Sequence, residues 1–209
     1  MKLLLQLAFA AASAIAAATF SAAHAADLRL DSASPAAAVV RHFGWLEAGL
    51  AASGVKVQWA SEGRLDFTSA DGTSALKVRA TGSAVKAVYV LWRDAAGNDQ
   101  YLLVSESFLA QQPQQAQAVV AAFERARKWI AANPDDAAKI LSPGATLRNL
   151  TGSRPGPAQL AALSATAKHL GLDARLASQL LDDSLVRAAV ADTVAARAVQ
   201  APGRGGLDW

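Results

Sequence analysis

The chain has no cysteine and one methionine among its 209 residues. Without thiols it has no disulfide, no thiolate nucleophile and no thiolate metal site, so burial alone must hold its fold. Histidine is nearly as scarce. His24, His42 and His169 stand apart from Asp and Glu at metal-ligand spacing, and surface or structural roles are expected for them. A phosphate loop, a dinucleotide glycine pattern and a Gly-x-Ser-x-Gly elbow are missing too. Asp182 and Asp183 are adjacent, so on a helix they point different ways, and with Ser184 behind them they read as a solvated cap. These patterns call for neither catalysis nor a cofactor. A clustered basic face is also lacking. Arg41, Arg64, Arg79, Arg93, Arg148, Arg175 and Arg204 are scattered without interleaved aromatics, which excludes nucleic acid as the partner.

The amino terminus has what the rest of the chain lacks, a long apolar run. Met1-Lys2 precedes Leu3 to Phe20, and small residues end in Ala23-His24-Ala25, the layout of a cleavable export signal cut after Ala25. An uncleaved anchor is the other reading of a run this long, but the Ala-x-Ala site and the mild, Ala-rich hydropathy weigh against it. Removing Lys2 from the 20 basic residues leaves 19 against 17 acidic ones, a net charge of +2.

Past the signal, Leu28–Leu30, Val55–Trp59, Leu65–Phe67, Ala87–Trp92 and Tyr101–Val104 have the compact or alternating apolar character of strands. Helical patterns at Pro35–Ala51 and Ser74–Ala80 fall between them, and such alternation signals α/β layering around a largely parallel sheet. Asp94 to Asp99 reads as a short polar turn. Pro113 then presets a helix start, and Ala116, Val119, Phe123, Ala126 and Ile130 form one apolar stripe, with Glu124 and Lys128 expected on the outside. Asn133-Pro134-Asp135-Asp136 reads as an N-cap, a first-position Pro and two first-turn carboxylates opening a helix to Leu141. Leu160, Leu163, Ala167 and Leu170 form a further helical stripe. Leu176, Leu180, Leu185, Ala189 and Val194 suggest one long or two shorter helices after it.

The run from Phe108 to Leu141, with Phe-Glu-Arg-Ala-Arg-Lys-Trp at its centre and Asn-Pro-Asp-Asp-Ala-Ala near its end, resembles the periplasmic substrate-binding proteins of ABC importers. The resemblance is to the branch that binds aliphatic sulfonates, taurine and nitrate. Gly44-Trp45-Leu46-Glu47, Gly54 to Trp59, Leu65-Asp66-Phe67 and Val85 to Val90 occur in that family's order, so the likeness covers about Leu28 to Leu141. It implies lobe one of a periplasmic-binding-protein-like fold, with a mostly parallel sheet flanked by helices and a helical C-terminal tail. In the family a second lobe is inserted near the turn after Trp92, and a longer loop with a helix stands where only Ala60 to Gly63 remain. The expected organisation is a signal at 1–25, an α/β lobe at 26–150, helices at 151–200 packing on it, and a flexible tail at 201–209.

The implied role is non-catalytic capture of a small, sulfonate-like anion in the periplasm for delivery to an inner-membrane ABC permease. Helix N-termini and hydroxyls suit such a solute, because unpaired N–H donors and positive partial charge gather there. Two places qualify. Ser32 and Ser34 precede a helix begun by Pro35, and Thr68 and Ser69 follow a strand and lead through Asp71 and Gly72 to Thr73. In the family the second place commonly reads Gly-Ser-Thr. Ser69 matches its Ser, Thr68 replaces the Gly and Ala70 replaces the Thr, while Asp71 would repel an anion unless turned away as a cap. Plain helix capping is the simpler role for Ser34 and Ser69. A single lobe leaves one side of the site in water, which a homodimer can cover. The other reading is a degenerate lobe acting as an interaction module without transport.

Overall fold

Leu28 and Leu30 are buried and Arg29 between them is exposed, a period of two that makes Leu28–Asp31 a strand, β1, with one face in the core. The computed structural model describes residues 27–94, 96–141 and 154–191. After β1 come α1 (Pro35–Phe43), α2 (Trp45–Leu50), β2 (Val57–Ala60), β3 (Phe67–Asp71) and α3 (Gly72–Ala80). A hairpin of β4 (Val85–Arg93) and β5 (Asp99–Ser105) follows, then α4 (Glu106–Gln111), α5 (Pro113–Ala132), α6 (Pro134–Ile140), α7 (Pro157–His169) and α8 (Arg175–Leu180). Residues 184–191 are helical again. The expected export signal at 1–25 and tail at 201–209 lie outside the described residues, as do Arg148 and Val194.

The strands form one sheet in the order β2-β1-β3-β5-β4. β1 pairs in parallel with β2 and β3, whereas β5 runs antiparallel to both β3 and β4, so four of the five strands share a direction. The α/β class with a mostly parallel sheet is as expected. Each face carries its own core. On one, α1, α2 and α5 cover Leu28, Leu30, Phe67, Leu102 and Val104; on the other, α3, α7 and α8 cover Ala87, Val90, Tyr101 and Leu103. Both faces of β4 are therefore buried, which is why Ala87 to Leu91 is an unbroken apolar run.

Several boundaries differ from the expectation, each for a local reason. The helix expected over Pro35–Ala51 is two helices, because Gly44 adopts φ 60° and its N–H closes α1 onto the Arg41 carbonyl. The strand expected at Leu65–Phe67 begins at Phe67 and runs to Asp71. Thr68, Ser69 and Ala70 are thus strand residues paired with Leu103, Leu102 and Tyr101, and the turn-like composition yields to the ladder. β2 starts at Val57 rather than Val55. α4, not anticipated, starts where Ser105 Oγ accepts the Phe108 N–H. Asn133 precedes α6, but its side chain turns back to donate to the Trp129 carbonyl and so closes α5.

Glu124 is a correction of another kind. It was expected outside, yet it is only 3% exposed and lies under Tyr89, whose hydroxyl donates to it at 3.1 Å. Arg127 donates two hydrogen bonds to the same carboxylate, at 2.8 and 2.9 Å, so the buried charge is compensated. The apolar stripe alone did not reveal how far α5 sinks between α1 and the sheet.

Candidate functional site

β1 and β3 are parallel neighbours whose following helices leave toward opposite faces, α1 against α5 and α3 against α7 and α8. Such a divergence makes a crevice at the strand carboxyl ends, the usual ligand position in open α/β sheets. Here the chain's own groups take up its donors. Ser34 Oγ accepts the Ala37 N–H at 3.0 Å as the buried cap of α1. Asp71 caps α3, accepting from the Ser74 N–H at 2.9 Å and the Ser74 hydroxyl at 2.8 Å. Burial pushes the Asp71 carboxyl up, but the Ser74 bonds outweigh it and hold the group below the ordinary aspartate value. Asp71 thus has the capping role that the sequence left open to it. Asp31 lies between the strands, one oxygen accepting the Ala33 N–H at 2.9 Å and the other the Ser69 N–H at 3.1 Å.

The structure does not bring the five sequence-derived residues into one pocket. Ser32 borders a polar recess of about 320 Å³ with Arg41 and His42. Thr73 borders a cleft of about 270 Å³ between the start of α3, the β4–β5 turn and α7. In that cleft Arg93 and Asp99 are joined by two hydrogen bonds, at 2.8 and 3.2 Å, and Gln159 donates to Asp99 at 3.1 Å. Bonding to Asp99 raises the Arg93 pKa, and burial pushes the Tyr101 phenol up.

Thr68 and Ser69 do share a cavity, the roomiest of these at about 480 Å³. It opens where β3 and β4 begin and β5 ends, and Leu65, Val78, Val85 and Leu103 supply apolar wall beside the hydroxyls of Ser105 and Ser107. Arg64 stands on its rim, exposed and without a side-chain hydrogen bond or ion pair among the described residues. Arg64 is not singled out by the sequence, because a lone arginine in a short polar loop looks like ordinary surface. Its place just ahead of the hydroxyl-bearing strand was the one available signal.

No family model matches the chain, and no curated protein does. Solved structures do. A protein from Bordetella bronchiseptica RB50 aligns with TM-score 0.65 at 13% identity, covering 81% of this chain and 98% of that one. The alkanesulfonate-binding protein SsuA from Xanthomonas axonopodis pv. citri, bound to MOPS, gives 0.56 at 13% over 72% and 94%. A structure named as the periplasmic sulfonate-binding SsuA of a Methylobacillus flagellatus KT ABC transporter gives 0.62 at 12% over 81% and 95%. At such identities the likeness is one of fold, and the fold is that of periplasmic binding proteins.

Proposed function

We propose that the chain is the exported solute-binding component of an ABC importer, taking up a small organic anion such as a sulfonate and passing it to an inner-membrane permease. The observation that carries this reading is the cavity of about 480 Å³ on which Thr68 and Ser69 lie, in a fold shared with sulfonate binders. A pocket of that size, part apolar wall and part hydroxyl, suits a small organic molecule better than a bare ion. No step of catalysis is involved. Export by the signal ending at Ala25 would place the protein in the periplasm, where such capture occurs. Ser32, Ser34 and Thr73 remain contributors only if the solute reaches the strand carboxyl ends.

A second reading, a single lobe acting as an interaction module, is favoured by one observation. The crevice between β1 and β3 already holds Asp31, whose two oxygens accept N–H groups from both sides of it. A homodimer that closes the site gains little support, since Arg29 and Gln58 make the neighbouring open strip of β1 and β2 polar rather than apolar. Calorimetric titration of the exported chain with taurine, alkane sulfonates and nitrate separates the two. The transport reading predicts saturable heat with at least one of them, weakened in Ser69→Ala and Thr68→Val; no heat with any would leave the interaction module.

A further inference from the structure

We infer that the anion is held at the amino-terminal end of β3, with Arg64 as its counter-ion, and not in the crevice at the strand carboxyl ends. This rests on the reading that the chain binds an organic anion, and it assigns that anion a place.

Two independent observations converge. The crevice presents negative charge where an incoming anion would need donors. Both Asp31 oxygens are engaged by main-chain N–H groups from either side of the gap, and Asp71 caps the helix beyond. An anion entering there would have to displace a carboxylate already hydrogen-bonded in place. At the other end of β3 a cation joins the carboxylate on the cavity wall, Arg64 beside Asp66. Arg64 keeps all its guanidinium donors free among the described residues, and the neighbouring cations Arg79 and Lys86 are both drawn to Glu106. Asp66 also borders the cavity, but one of its oxygens is turned to β1, accepting the Arg29 N–H at 2.9 Å.

The cavity wall fixes the class of solute. A guanidinium grips a sulfonate or carboxylate through paired N–H donors, and the Thr68 hydroxyl can add a third donor. Val78, 40% exposed, and Leu103 then offer apolar surface to a short alkyl body. The solute is accordingly an anion with a short apolar body. Nitrate and sulfate would forgo the wall. Among the described residues, Arg41 is another cation at a recess, the smaller polar one beside Ser32, which has little apolar lining to recognise such a body.

The test is calorimetric titration of the full exported chain and its Arg64→Gln, Thr68→Val and Arg41→Gln variants with butanesulfonate, valerate and sulfate. The two alkyl anions should bind and sulfate far more weakly. Arg64→Gln should weaken binding roughly 10- to 100-fold, Thr68→Val less, and Arg41→Gln should not weaken it. Because Arg64 is exposed, its variant should keep the parent's unfolding midpoint, which is checked alongside. Undiminished binding in Arg64→Gln, or loss confined to Arg41→Gln, overturns the placement and leaves the solute-binding reading intact. If neither alkyl anion binds the parent chain, both fall together.

Discussion

Glu124 is a charged residue only 3% exposed, and its partners determine what its removal costs. Glu124→Ala should destabilise the protein by about 3 kcal/mol, the lower end for a broken buried pair, because Arg127 and Lys128 retain partial contact with water. Arg127→Ala should cost at least as much, since it strands the buried carboxylate with less compensation; urea unfolding of both variants checks the order. Asp71 gives a pH-dependent counterpart. Its folded pKa lies below the ordinary 3.8, so its contribution is complete above that pH and is lost as pH falls through the folded value. Asp71→Ala should therefore cost about 1 kcal/mol at neutral pH and progressively less in acid, whereas Asp71→Asn, still a competent cap, should cost little at either. A constant penalty across the range would show that the carboxylate's hydrogen bonds are not its source.

At the scale of elements, α7 is seated by a missing side chain. A Cβ on Gly72 would lie 2.7 Å from Leu163 Cδ2, so a methyl there would have to push the buried Leu163 side chain aside. Gly72→Ala should destabilise by about 1–3 kcal/mol through overpacking, and in a Leu163→Ala background the same change should turn neutral or better, a coupling that a double-mutant cycle measures. Amide exchange should divide the sheet as well. β5, flanked by β3 and β4, should exchange slowest and the edge strand β2 fastest.

The elements best legible in the sequence were those with a long period to read. The α5 stripe and the apolar run of β4 appear where expected, because each has enough buried positions to outvote local noise. β3 was misplaced because Thr68 to Asp71 has turn composition, and only its pairing with β5, thirty-odd residues away, makes it a strand. Gly44, with Arg41 and His42 just before it, is a readable C-cap signal inside the span expected as one helix, Pro35–Ala51. The hydroxyl residues of the site were legible as residue types. Their grouping was not, since a sequence does not say that Asp31 would fill the crevice or that Thr68 and Ser69 would share a cavity with Arg64.

At the scale of the molecule, the question is whether one α/β unit can retain a solute. Two-lobed binders gain affinity by burying the ligand on closure, while an open site keeps its ion pairs in water, where each is worth less. Among the described residues the second face of β1 and β2 is exposed and polar at Arg29 and Gln58, and the enclosure at β3 comes from α3 and the strand ends. Affinity for a small anion should consequently be modest and fall with added salt, most steeply between low and physiological ionic strength.

The most direct test of solute binding is a thermal-unfolding screen of the exported chain against taurine, alkane sulfonates, nitrate and neutral amino acids. A ligand at about 100 times its dissociation constant adds roughly 2.7 kcal/mol of stability. The account predicts a selective upward shift with an organic anion, absent for the neutral amino acids; a cooperatively unfolding sample whose midpoint moves with none of them would contradict it.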